Sequence, residues 1–422
     1  MRKGFKQTEV GVVPEDWDVL PFEEYYSFIS YGFTNPMPTT ESGIYMVTAK
    51  DINNGKIQLD TARFTTEEAY RALTAKSRPK KGDLLLTKDG ALGRLALVDD
   101  TVMCINQSVA IIRLNNRAAP EFLKTLLEAP AYQSRMLEDA GGTTIKHIYI
   151  TIVNKMPLAV PPTLAEQEAI AEALSDADAL IEAVEQLLAK KRQVKQGAMS
   201  ELLTGKRRLS GFSGEWEEKT FGDLFNFSGG FTASRDQLST DGYCYLHYGD
   251  IHMSKKTFVD VQAEFQDIPK LNIPLKKVST TSLLEDGDIV FVDASEDDEG
   301  ASRHVVIVNP NKIPYISGLH TIVAKSKTDE LEKQYRRYCF QTREVKNQFR
   351  FYAVGTKVSG ISKTNIAKIN LPVPSIPEQT AIAEILSDMD VEISALEGKL
   401  VKARQVKAGM MSDLLTGKIR LV

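Results

Sequence analysis

The residues nearest to catalytic or metal chemistry are few. His247 and His252 lie five apart, which suits one helix face poorly, and neither a cysteine nor a third histidine stands nearby. A zinc site is therefore not expected there. Glu296, Asp297, Asp298 and Glu299 form an acidic run of the kind that can hold magnesium, but no lysine-bearing nuclease motif accompanies it. Such a run is more often a solvated loop. Cys104, Cys244 and Cys339 are isolated, with no CxxC spacing. They point to a reducing compartment rather than to a disulfide framework or a structural zinc. The segment LLTGK has the end of a P-loop without its phosphate-cradling GxxxxGK[ST], and no GxGxxG fingerprint occurs. NPMP at 35–38 does not substitute for the DPPY or NPPY motif of amino-methyltransferases. No catalytic, cofactor-binding or metal-binding residue is expected in this chain.

The bulk properties narrow the class. A chain of 422 residues exceeds one ordinary core, so two or more domains are expected. With 42% hydrophobic and 26% charged residues it reads as a globular protein. No apolar run reaches membrane-spanning length, and MRKGFKQTEVGVVPEDW has no apolar signal core, so a cytoplasmic location is expected. A net charge of -4 supplies no general basic field.

The strongest signal is a repeat. Glu166–Leu209 recurs as Glu378–Leu421 at a constant offset of 212, with 29 of 44 positions identical and no gap. Upstream the match weakens: 142–162 parallels 355–375, GDLLLT (82–87) parallels GDIVFV (287–292), and a helical stretch near 120–139 answers one near 331–353. At the start of each half PEDWDVLPF (14–22) answers GEWEEKTF (214–221), setting Trp17 against Trp216. Each half thus reads as a divergent module, a Pro-rich hinge and a long helix. The expected domains are 1–160, a helical spacer 161–209, 210–373, and a second spacer 374–422.

The helices carry a heptad seam. Ile170, Leu174, Ala177, Ile181, Val184 and Leu188 are spaced 4-3-4-3-4, and Ile382, Leu386, Met389, Ile393, Leu396 and Leu400 repeat the pattern. Gly205 and Gly417 are stop signals near the ends. Residues 166–185 hold seven acids and no base, whereas 186–209 hold seven bases and one acid. Residues 378–397 hold six acids and no base, and 398–421 hold six bases and one acid. Part of this matches each helix's own dipole. If the helices pair, a parallel arrangement sets like charges together and an antiparallel one sets acid against base. An antiparallel pair is expected, with the C-terminus brought beside the PEDW segment, making the layout circular.

The hinges VPPTLAEQ and VPSIPEQ, each followed by IAE-x-LSD-x-D and RQVK-x-G and ending in LLTGK-x-RL, closely resemble the specificity subunits of type I restriction–modification systems. The resemblance covers essentially the whole chain; the helix is its specific part, whereas the modules match only as a pattern. It implies an α+β fold in which two mixed α/β target-recognition domains are joined by two long antiparallel helices, with a pseudo-twofold. It also implies a non-catalytic subunit whose modules each read half of a bipartite double-stranded DNA target. The helices would set the spacing and dock two methyltransferase subunits, and restriction subunits would join that core. S-adenosylmethionine, ATP and magnesium would sit on those partners. At ~1.5 Å per residue, thirty to forty helical residues span roughly 45–60 Å, more than the ~35 Å of one B-DNA turn.

Base edges and phosphates are met by Arg, Lys, Asn, Gln, Ser and Thr on well-held loops. In the first module TKDGALGR (87–94), INQS (105–108) and GGTTIKH (141–147) supply Lys88, Arg94, Asn106, Gln107, Thr143, Thr144 and Lys146 as candidates. In the second, HYGDIHMSKK (247–256), DASEDDEGASR (293–303), SGLH (317–320) and VGTKVSG (354–360) supply Tyr248, Lys255, Lys256, Ser295, Arg303, His320, Thr356 and Lys357. The rival reading is a protein-interaction scaffold, with two divergent binding modules on a coiled-coil spacer.

Overall fold

The computed structural model describes residues 4–138, 147–254, 256–295, 303–355 and 359–421. The chain forms two compact units, residues 1–185 with 398–422, and residues 186–397. Their boundaries fall within the long helices, so each unit holds one module and a portion of both helices.

The first module is built on an antiparallel sheet in the order Leu95–Leu97, Leu84–Thr87, Val109–Leu114, Tyr26–Tyr31. Leu84, Leu85 and Leu86 are all fully buried, because side chains pack on both faces of this central strand. A smaller sheet sets Ile44–Val47 parallel to Met103–Ile105 and antiparallel to Arg63–Thr65. The second module repeats the larger order as His304–Val308, Ile289–Val292, Thr321–Ser326, Phe225–Gly229, with Phe258–Asp260 added at one edge. Its smaller sheet likewise sets Tyr243–Leu246 parallel to Tyr315–Ser317.

One ion pair recurs at the same place in both sheets. Asp83 accepts from the Lys80 amide at 2.7 Å and from the Arg113 guanidinium at 2.6 and 2.8 Å. Asp288 accepts from the Glu285 amide and the Lys325 ammonium, each at 2.8 Å. In both cases a turn before the central strand is tied to the neighbouring strand. Burial pushes the Asp288 carboxyl up, against the opposing pull of Lys325.

The long helices are Leu164–Leu202 and Ile376–Leu414, 39 residues each. Both end at a glycine in the left-handed region, Gly205 (φ 68°) and Gly417 (φ 66°). In the first unit Ile170, Ala171 and Leu174 join Leu414 and Leu415 in the module's core with Trp17, Phe22 and Phe122. In the second, Ile382, Ala383 and Leu386 join Met199, Leu202 and Leu203 with Phe221 and Phe340.

The helices run antiparallel. In the first unit Arg404 pairs with Glu185 and Lys407 with Asp178, both at 2.5 Å. In the second Lys191 pairs with Glu392 at 2.6 Å, Arg192 with Glu397 and Lys195 with Asp390, each at 2.5 Å. The acidic start of each helix therefore faces the basic end of the other. Among the seam positions Ile170, Leu174, Val184, Leu188, Ile382, Leu386 and Leu400 are buried, while Ala177, Ile181, Met389, Ile393 and Leu396 are half-buried.

Candidate nucleic-acid interface

Each helix is seated on its module by the Glu-Gln pair that follows the proline hinge. The Gln167 amide oxygen accepts from the Ala119 amide at 2.7 Å, and its nitrogen donates to the carbonyls of Pro161 and Arg117. Gln379 does the same with the Glu332 amide at 2.7 Å and the carbonyls of Pro374 and Glu330, both at 2.8 Å. The glutamates before them, Glu166 and Glu378, are buried with side chains only 1% exposed. Arg208 forks onto Glu378 at 2.6 and 2.7 Å, and Trp216 Nε1 donates to the same carboxylate at 3.1 Å. Arg420 forks onto Glu166 and also reaches Asp16 of the PEDW segment at 3.0 and 3.1 Å. Such planar, charge-assisted forks are the geometry arginine favours.

At the far end of the first module's sheet, separate loops meet. The Lys88 and Asp89 amides both donate to the Ser108 carbonyl, and the Ile148 amide donates to the Lys88 carbonyl. Lys88, Asn106 and Gln107 thus come to one place, with His147 beside them. Their side chains are not equally available. The Lys88 ammonium lies 2.6 Å from Asp89 and 4.6 Å from the centre of the Tyr31 ring. Asn106 spends its carbonyl oxygen on the Ser108 amide and hydroxyl. Gln107 is exposed, and Arg94, also exposed, donates to the Ile52 carbonyl at 3.1 Å. His147 Nδ1 meets Asp89 at 2.5 Å. Burial raises the Asp89 carboxyl, but hydrogen bonds from Lys88 and His147 outweigh it and hold the group below its ordinary range. Thr143, Thr144 and Lys146 lie outside the described residues.

The second module converges in the same way. The Asp293 amide donates to the His320 carbonyl, and the Ile361 amide to the Asp293 carbonyl at 2.8 Å. Ala294 pairs with Gly360 and Ser295 with Ser359. His320, in the left-handed region at φ 60°, packs edge-on against Tyr248, their ring centres 5.5 Å apart. Burial and the Arg235 guanidinium hold the neighbouring His247 below its ordinary value. Lys255, Thr356 and Lys357 lie outside the described residues, as does the acidic run Glu296–Glu299.

Lys256 and Arg303 meet in a cleft with His304 and Lys346, lined among the described residues also by Ser254, Thr257 and Gln341. The Lys256 ammonium reaches out to Glu264 at 2.6 Å, and Arg303 donates to the His252 carbonyl. Lys346 comes from the helix Arg343–Tyr352, whose start is capped by the Thr342 hydroxyl. It was not among the sequence candidates, since a single lysine on a helix reads as a solvated face. Among the described residues no group of His, Cys, Asp or Glu is arranged to hold a metal ion, and no helix is long and apolar enough to cross a membrane.

These doubled modules and helices match the sequence model of the type I restriction modification DNA specificity domain twice, at residues 28–191 and 213–403. The chain belongs to this family of type I specificity subunits. Its full length is shared with a putative type I restriction enzyme MjaX specificity subunit of Methanocaldococcus jannaschii, 25% identical over 99% of this chain and 97% of the relative. The EcoBI specificity subunit of Escherichia coli is 24% identical over 46% of this chain and 42% of its own. Among solved structures, the S subunit of a type I restriction–modification system from M. genitalium covers 94% of this chain and 96% of its own, with a TM-score of 0.58 at 16% identity. As a specificity subunit the chain is itself non-catalytic, and its two modules are target-recognition domains for DNA.

Proposed function

We propose that each target-recognition domain reads one half of a bipartite DNA sequence and that the paired helices set the gap between the halves. The observation that carries this reading is the repeated loop convergence: each module gathers polar loops at one end of its main sheet, with different side chains in the two copies. In the first, Lys88, Asn106, Gln107 and His147 gather; in the second, Tyr248, Asp293 and His320 do. Different donors on a common scaffold suit two different half-sites.

The long helices, alike in sequence, are the shared docking face for two methyltransferase subunits, and restriction subunits join that assembly. S-adenosylmethionine, ATP and magnesium belong to those partners. At ~1.5 Å per residue each 39-residue helix is about 58 Å long, enough to separate two short sites by an unread stretch.

The test is to co-express the chain with its methyltransferase partner subunit and to map methylated adenines by sequencing. A bipartite motif with a fixed gap supports the reading. An assembled, cofactor-loaded complex that methylates no defined motif contradicts it and favours a protein-binding scaffold.

A further inference from the structure

The tripeptide Gly-Phe-Thr occurs at 32–34 and again at 230–232. In each module it directly follows the edge strand of the main sheet, Tyr26–Tyr31 in the first and Phe225–Gly229 in the second. The glycine has a structural reason. A Cβ on Gly32 would lie 2.0 Å from the Ile105 carbonyl oxygen, and one on Gly230 would lie 1.7 Å from that of Gly318. The phenylalanine is held by its backbone. The Phe33 amide donates to the Ile105 carbonyl at 3.0 Å and the Phe231 amide to that of Ser317 at 2.7 Å. The Phe33 carbonyl accepts from the Gln107 amide, and the Phe231 carbonyl from the Tyr245 hydroxyl.

None of this requires the threonine. Thr34 and Thr232 are both exposed and make no hydrogen bond to another described residue. The chain diverges immediately after them, to Asn35-Pro36 in one copy and Ala233-Ser234 in the other. An exposed hydroxyl is therefore the same in two modules whose neighbouring reader loops differ, and the phenylalanine before it is tied through its backbone to those loops or the strands beside them. Bases are what two half-sites do not share; the sugar–phosphate backbone is what they do. A lysine meets the residue just before the tripeptide in each copy, brought there by different elements. Lys88, from the loop after the central strand, lies over Tyr31, and Lys363, from the helix Lys363–Ile366, lies 3.3 Å from the Cβ position of Gly229. Tyr31 and Gly229 are the residues just before each Gly-Phe-Thr. Lys88 spends one of its three N–H donors on Asp89, which leaves two.

We propose that the two Gly-Phe-Thr segments are a phosphate clamp common to both target-recognition domains, in which Thr34 with Lys88, and Thr232 with Lys363, hold a backbone phosphate of each half-site. The clamp sets the register of the duplex against the reader loops and carries no base preference. It rests on the DNA-reading function proposed above.

The experiment uses the full chain assembled with its methyltransferase subunits, and duplexes carrying the motif that the wild-type complex methylates. Thr34→Val and Thr232→Val are expected to weaken binding about tenfold to hundredfold each, the size of one lost hydrogen bond to a charged acceptor. Thr→Ser at either position is expected to bind as wild type, and the methylated motif should be unchanged in all four variants. Lys363→Ala should lower the slope of log affinity against log salt by about one. The clamp is overturned if both valine variants bind as wild type, if they alter which bases are methylated, or if they release the methyltransferase subunits from the chain. A wild-type complex with no bipartite motif would instead overturn the underlying function, so the two failures are told apart.

Discussion

Arg420 closes a two-pronged ion pair on Glu166, 254 positions earlier in the chain, and Arg208 makes the same pair on Glu378. In the second unit the fork is anchored by continuous chain, since Arg208 also donates to the Gly214 carbonyl at 2.6 Å and lies against Trp216. In the first unit Asp16 supplies the further contact to the arginine. Each fork holds the end of one long helix on the start of the other.

Arg420→Ala leaves the Glu166 carboxylate buried without its cation. The fully buried case costs about 3–5 kcal/mol, and because the Arg420 side chain is 34% exposed the expected loss is nearer ~2 kcal/mol, read as a fall in melting temperature. Adding Glu166→Gln to Arg420→Ala should recover part of the loss, since it removes the stranded charge.

The amides of Gln167 and Gln379 each satisfy three buried or half-buried backbone groups. Gln167→Leu and Gln379→Leu keep the volume and strand those partners, so each should destabilise the protein by about 2–3 kcal/mol, read by denaturant unfolding. An exposed control, Gln196→Leu in the same helix, should change stability by less than about 0.5 kcal/mol.

Acid should loosen the first unit's fork from one side. The hydrogen bond from the Arg420 guanidinium holds the Asp16 carboxyl below the ordinary carboxylate range. A folded-state value below the unfolded one contributes stability that is present above the unfolded value and is lost as pH falls through the folded one. Asp16→Asn should therefore lower the melting temperature at pH 7 and make no further difference well below pH 4. A larger effect in acid than at neutrality would contradict the assignment.

The antiparallel arrangement was legible because the repeated helix reverses its charge halfway, and the ion pairs from Asp178–Lys407 to Lys195–Asp390 follow from that reversal. The paired Arg and Glu forks were not, although every residue in them lies inside the repeat. Glu166 reads as one acid in an acidic stretch, and only burial separates it from Glu168. The loops were found as loops, yet Asn106 turned out to hold its own turn together and Lys88 to sit against Asp89. Local partners of this kind depend on chain segments far apart in sequence. The Gly-Phe-Thr repeat was missed because it is three residues long and its offset is 198, not the 212 of the helices.

The modules are close to neutral, with 19 bases against 19 acids in residues 1–165 and 20 against 22 in 210–377. Phosphate neutralisation alone then gives little affinity. The isolated chain should bind DNA weakly in a gel shift, and tight specific binding should require the methyltransferase partners as a clamp. Tight, specific binding by the chain alone would contradict this.

The spacing role of the helices is tested most directly by removing one heptad from each, in matched positions, and mapping the methylated motif of the assembled complex. Seven residues at ~1.5 Å remove about 10 Å, close to three base pairs at ~3.4 Å. Both half-sites should keep their bases while the gap between them shortens by about three. A gap that stays the same in a complex that still assembles and methylates would contradict the account.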